Sequence, residues 1–256
     1  MNNNAIVELI DIKKSFGSQQ VLRGVNLRIM EGKTTVIVGG SGQGKSLIIK
    51  HILGLITPDS GRALVYGKEL NRISKKELKD IRTNFGVLFQ NSALFDSMTV
   101  YDNVALPLRE RTMITEDETG RIVNEKLKMM DVEGTNNKYP AQLSGGMKKR
   151  VGLARALVLD PKIVFFDEPT TGLDAAKSNE IYRVFSRTQQ KLGYTSVIVS
   201  HDVPKIFKLA DYVALLHNGV VRDCLTPDEF QLSDDPVIKD YVETTMGPLY
   251  SSEMEV

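Results

Sequence analysis

Apolar and polar positions alternate from Ala5 to Asp11 and again from Val21 to Ile29, the period of half-buried strands. Thr34 to Val38 is a short β-branched run that ends in glycines, and Arg62 to Tyr66, Phe85 to Phe89, Ile163 to Phe166, Ser196 to Val199 and Tyr212 to Leu216 read as further strands. Helical character appears at Lys45 to Leu53 and at Ala175 to Leu192. Thr57-Pro58-Asp59-Ser60-Gly61 is a turn, and His217-Asn218-Gly219 between two apolar runs marks a hairpin. From Asn91 to Leu143 strand signals vanish, while Thr115 and Glu118 form a capping-box pattern that opens a helix through about Met130. That stretch predicts an all-helical insertion. The alternation of strands and helices around it predicts an α/β domain with a largely parallel sheet.

Composition changes this picture only by exclusion. The 256 residues allow one large domain or a domain with an accessory piece, and 41% hydrophobic with 25% charged residues argues against a disordered or membrane-embedded chain. No apolar run approaches the roughly 18 residues of a spanning helix. Met1-Asn2-Asn3-Asn4 lacks the basic and apolar regions of a secretory signal, so a cytoplasmic location is expected. Cys224 is the sole cysteine, which excludes an intramolecular disulfide and a cysteine-rich metal site. The net charge of +1 is unevenly placed: Asp223 to Val256 holds nine acidic residues and one lysine, leaving 32 basic against 23 acidic residues before it. Such an excess is compatible with nucleic acid or an anionic membrane. No aromatic-interleaved basic cluster accompanies it, and a solvated surface with phosphate-binding residues accounts for it.

Gly39-Gly40-Ser41-Gly42-Gln43-Gly44-Lys45-Ser46 fits the phosphate-loop pattern G-x-x-x-x-G-K-[ST], directly after a predicted strand and before a predicted helix. Glycines let backbone N–H groups turn toward phosphate oxygens, and the helix adds its positive end. Lys45 then neutralises β- and γ-phosphate charge, and Ser46 offers a hydroxyl to Mg²⁺. Alone, the loop specifies a nucleoside triphosphate and no particular chemistry. Further along, the apolar run Ile163 to Phe166 delivers Asp167 and Glu168 to the carboxyl end of the sheet, where α/β ligand sites lie. Neighbours on a strand point to opposite sides, so Asp167 is suited to Mg²⁺ and Glu168 to accepting a proton from water.

With Leu143-Ser144-Gly145-Gly146-Met147-Lys148-Lys149-Arg150 about twenty residues before Asp167, residues 5 to 230 resemble the nucleotide-binding subunits of ABC transporters. The resemblance implies an ATP-hydrolysing P-loop fold of ABC type, with a mostly parallel core sheet, an N-terminal antiparallel β part and an inserted helical subdomain at about 91–143. Residues 231–256 would be an acidic C-terminal extension. It also implies that Phe16 lies under the adenine, that Gln90 joins Ser46 and Asp167 toward Mg²⁺, and that His201 contacts the γ-phosphate beside Glu168 and Lys45. Ser144, Gly145 and Gly146 would serve the partner subunit's ATP, which makes the enzyme a homodimer. Thr171-Gly172-Leu173-Asp174 falls in the family's order as well.

Met147, where the family's commonest signature has glutamine, is similar to the ATPases of Mla-type, MCE-associated phospholipid transporters. So are Gly86 to Phe95, Val100 to Val104, Pro107 to Glu110 and the tail from Ser233 through Gly247-Pro248-Leu249. That likeness implies a peripheral subunit on the cytoplasmic face of the inner membrane. Its partners would be a permease dimer, an MCE-domain lipid-binding protein and a small accessory subunit, with no nucleic acid. An ABC importer for a small polar solute, such as an amino acid, is the alternative; a soluble ABC ATPase acting on ribosomes or DNA is a third. Leu94, Phe95 and Met98 either belong to the core or line a groove for a permease helix. A predicted helix from Pro236 to Thr245 sets Val237, Ile238, Tyr241 and Val242 on one face, toward its own domain or toward a partner.

Overall fold

The computed structural model describes residues 4–247. They divide into two compact units: the chain up to Lys79 together with the chain from Val197 onward, and Asp80–Ser196.

In the first unit, β1 (Ala5–Phe16), β2 (Gln19–Met30), β4 (Ser60–Val65) and β5 (Lys68–Glu69) form an antiparallel sheet in the order β2-β1-β4-β5. β1 is twelve residues long and ends at Phe16, past the expected end at Asp11. The cause is a bulge. Asp11 has φ 48°, the pairing with β4 slips between Ile10 and Lys13, and the inside-outside alternation that reveals a strand breaks there. Gly61 on β4 is required opposite the bulge, because a Cβ on it would lie 2.2 Å from the Asp11 carbonyl oxygen.

A second set of strands in this unit runs β10 (Val220–Leu225), β9 (Tyr212–His217), β3 (Thr34–Val38) and the end of β8 (Thr195–Val199). All five residues of β3 and of β8 are buried, the continuous apolar pattern of strands covered on both faces. β3 and β9 pair in parallel, while β9 and β10 form the expected hairpin. Asn218 (φ 49°) and Gly219 (φ 78°) make the two-residue turn. Its tip is held on two sides: Asn218 N–H donates to Gln43 Oε1 at 2.9 Å, and Arg23 N–H donates to the Gly219 carbonyl at 2.7 Å.

α1 (Lys45–Ile52) follows β3, and α2 (Lys75–Arg82), which the periodicity did not reveal, lies where the two units divide. After β10 come α7 (Pro227–Gln231) and α8 (Pro236–Met246), the latter capped by the Asp235 carboxylate, which accepts from the Val237 and Ile238 amides. Ile238 is buried and the Tyr241 ring meets Phe230 edge-on, whereas Val237, Tyr241 and Val242 are half-buried. Its apolar face therefore packs at least in part on its own unit. Pro248, Leu249 and Tyr250 lie outside the described residues.

In the second unit β6 (Phe85–Leu88) pairs in parallel with β7 (Ile163–Asp167), and β8 begins beside β7. Between β6 and β7 the described residues form helices only: α3 (Val100–Arg111), α4 (Glu116–Met129), a 3-10 turn at Pro140–Gln142, and α5 (Gly145–Leu157). Thr99 and Thr115 cap α3 and α4, and Arg109 joins them through two hydrogen bonds to Glu116 at 2.8 and 3.0 Å. α6 (Ala175–Leu192) occupies its expected span, starting at an Asp174 cap and ending at Gly193 with φ 69°.

Candidate functional site

Glycines at three positive-φ positions shape the loop after β3: Gly39 at 145°, Gly42 at 75° and Gly44 at 98°. Gly39 is fixed by space as well as by φ, since a Cβ there would lie 2.3 Å from the Leu216 carbonyl oxygen of β9. Gly44 caps α1 with no side chain and no acidic residue follows in the first turn, so no carboxylate of the helix's own first turn offsets the positive end that it turns to the loop. Lys45 is 7% exposed and its Nζ donates to the Gly39 and Gly40 carbonyls at 2.8 and 2.9 Å. Gly40, Ser41 and Gly42 are exposed, and Gln43 and Ser46 are half-buried or nearly so beside the buried lysine. The same unit holds His201, exposed just past β8, where the Ser200 amide bonds the Ile37 carbonyl of β3. Loop and histidine thus leave the same ends of neighbouring strands. Phe16 closes β1, 52% exposed, with Lys14 Nζ 5.8 Å from its ring centre.

The helix behind the loop carries a buried histidine. His51 is 1% exposed; Nδ1 lies 2.7 Å from the Leu47 carbonyl, which can only accept, so Nδ1 carries the proton and Nε2 is bare and without a partner. Burial holds this imidazole below its ordinary range, with Lys14 acting the same way and the Leu47 bond and Asp59 opposing. A histidine whose folded pKa is depressed withdraws stability as pH falls below its unfolded value, here about 6.5. Urea unfolding midpoints are therefore expected to drop between about pH 7.5 and about pH 5.5 more steeply in the parent than in His51→Leu. Equal slopes would remove His51 as the cause.

In the second unit, Ile163, Val164, Phe165 and Phe166 of β7 are buried, and Asp167 closes the strand half-buried. Strand alternation reaches Asp167 and stops short of Glu168. Glu168 lies beyond the strand with φ 48°, so a left-handed backbone sets its direction. Such a conformation costs a non-glycine residue on the order of 1–3 kcal/mol and is held by its surroundings. Thr171 supports it: its amide bonds the Glu168 carbonyl at 3.3 Å and its hydroxyl donates to Glu168 Oε2 at 3.4 Å. Asp174, at the end of the turn that Pro169 begins, is occupied as the α6 cap and in an ion pair with Lys177.

Ser144 caps α5 as expected, its Oγ accepting from the Met147 amide at 3.3 Å, and Ser144 and Gly145 are exposed. A Cβ on Gly146 would meet nothing within 4 Å, so the start of α5 presents open backbone. Gln90 is exposed just after β6. Sequence reasoning missed the side chains that hold the segment after it. Asn103 is buried and bonds the Phe95 amide and the Phe95, Met98 and Thr99 carbonyls, while Arg155 donates to the Ser92 and Ala93 carbonyls. Phe95 is 49% exposed, and Leu94 and Met98 are half-buried. Phe95 and Phe89 line a groove of about 360 Å³ with Phe85, Pro107, Arg111 and Arg155.

A phosphate loop on a buried parallel strand, and an acidic strand end in the same unit as a serine-glycine-glycine helix start, define an ATP-binding cassette. Residues 22–171 match the family described as ABC transporter. The chain is 40% identical over 248 residues to the probable ribonucleotide transport ATP-binding protein mkl of Mycobacterium leprae, covering 96% of this chain and 72% of the relative. It is 38% identical to the intermembrane phospholipid transport system ATP-binding protein MlaF of Haemophilus influenzae, covering 92% and 89%. Among solved structures, cbiO1 of Clostridium perfringens superimposes with a TM-score of 0.82 at 30% identity over 99% of this chain and 100% of that one. The dimeric bacterial ABC transporter cassette MJ0796 does so at 0.79 and 32%, over 86% and 98%. The chain belongs to the ABC transporter ATP-binding family and is an ABC-type ATPase with the P-loop NTPase fold.

Proposed function

We propose that this ATPase works as a homodimer on the cytoplasmic face of the inner membrane and drives phospholipid movement between membranes through a permease. The observation that carries the lipid reading is the likeness to the MlaF proteins, which spans nearly the whole of both chains. Met147 in the signature supports it. No described helix is long and apolar enough to cross a membrane, so a separate membrane subunit is part of the reading. The groove beside Phe89 and Phe95 supports its docking there, as does the fixed geometry given by Asn103 and Arg155. An MCE-domain lipid carrier and a small accessory subunit complete the assembly.

In the first unit, the amides of Gly39 to Gly44 cradle ATP phosphates, Lys45 neutralises them, Phe16 stacks on adenine and His201 contacts the γ-phosphate. In the second, Glu168 takes a proton from the water that attacks the γ-phosphorus as ADP leaves, and Ser144, Gly145 and Gly146 serve the partner subunit's ATP. The donors assigned to Mg²⁺ are a hydroxyl, an amide and a carboxylate, of Ser46, Gln90 and Asp167. This all-oxygen set suits a hard cation, and the described residues offer no His, Cys, Asp and Glu cluster that would favour another metal. Mg²⁺, when bound, neutralises charge on the phosphates.

The mycobacterial relatives' name makes ribonucleotide the second reading. Purification of the complex from membranes, solvent extraction and mass spectrometry tests both. Copurified phospholipid, with ATPase activity stimulated by phospholipid and not by ribonucleotide, is the expected result; the reverse overturns the lipid assignment.

A further inference from the structure

One face of α5 reaches from the signature toward Gln90. Lys149, Gly152 and Arg155 follow one another at helical spacing, and each meets the chain that leaves β6. Lys149 is 5% exposed, and its Nζ donates to the Gln90 carbonyl oxygen. Gly152 leaves no room: a Cβ on it would lie 2.8 Å from Leu88 Cδ1 and 3.1 Å from Ser92 Cβ. Arg155 bonds the Ser92 and Ala93 carbonyls at 2.7 and 2.8 Å. Ser92 and Ala93 have φ 60° and 46°, so the segment is held in a conformation it would not choose alone.

We propose that Lys149 is a positioning residue for hydrolysis, its buried ammonium fastening the helix that begins at Ser144 to the backbone of Gln90. The proposal rests on the roles assigned above to Gln90, Glu168 and Ser144. A shift of α5 on contact with the partner's nucleotide then moves the Gln90 carbonyl with it, with no slack between them. A buried ammonium is costly, and burial pushes Lys149 below its ordinary range while the Glu168 carboxylate opposes that shift. What the ammonium holds is the Gln90 carbonyl, and a neutral apolar residue would fill the space without holding it.

Lys149→Met in the full-length chain is expected to lower kcat by about 10- to 100-fold with KM for ATP within about twofold, the signature of lost positioning rather than lost binding. Lys149→Arg, which keeps charge and donor, is expected to recover kcat to within about threefold of the parent. If the methionine variant does not fold, Lys149→Gln, which keeps a donor without the charge, gives the same kcat loss. A folded Met or Gln variant with parental kcat, or with raised KM alone, overturns the proposal. Glu168→Gln run in parallel separates the two readings: parental turnover in that variant overturns the base assignment and this proposal together, while an inactive Glu168→Gln beside a parental Lys149→Met overturns this proposal alone.

Discussion

Glu168→Gln is expected to keep ATP bound while turnover falls by about 10²–10⁴-fold, the range that a positioned general base contributes. Glutamine preserves the side chain's shape, and its carbonyl oxygen accepts from the Thr171 hydroxyl as Oε2 does. The left-handed backbone at φ 48° therefore stays supported, and the loss is chemical rather than structural. What the amide lacks is a site for the water's proton. Phosphate release should fall while filter-bound ATP remains, and ATP-stabilised dimers should accumulate on gel filtration. Turnover at the parental rate would remove Glu168 from the role of base.

Lys45→Ala acts one step earlier. Its ammonium is buried in the loop, where hydrogen bonds to charged partners are worth about 1.5–3 kcal/mol each, so the affinity for ATP is expected to drop by roughly 10- to 100-fold. The loop itself should survive, because its turns are set by the glycines at positive φ and by the hairpin contact at Gln43. Calorimetric titration of ATP with Mg²⁺ checks this. Parental affinity would mean that the backbone amides alone hold the phosphates, and the assignment would fall.

The phosphate loop and the Asp167-Glu168 pair were legible in the sequence because each is a contiguous run whose spacing is its meaning. Buried β3, β7 and β8 were legible for the same reason, being unbroken apolar runs. β1 was cut short at Asp11, where a bulge breaks the alternation by which a half-buried strand is recognised. For Glu168 the strand rule was applied one residue beyond the strand, where a backbone at φ 48° takes the place of alternation. Lys149, Asn103 and Arg155 left no signal to find. Their partners are main-chain carbonyls as far as 59, 8 and 63 residues away, and a carbonyl has no residue type by which to be anticipated.

The β9–β10 turn carries a consequence for how this chain tolerates change. A two-residue hairpin tip is ordinarily where insertions and new domains are accepted, because nothing leans on it. Here Asn218 is bonded to Gln43 inside the phosphate loop, Gly219 is bonded to Arg23, and a Cβ on Gly219 would lie 2.5 Å from the Val21 carbonyl oxygen. The tip is a wedge between the loop and β2. Tags, fusions or permuted termini placed there would reach the phosphate loop through a single hydrogen bond, so the surface turn that looks most permissive is among the least.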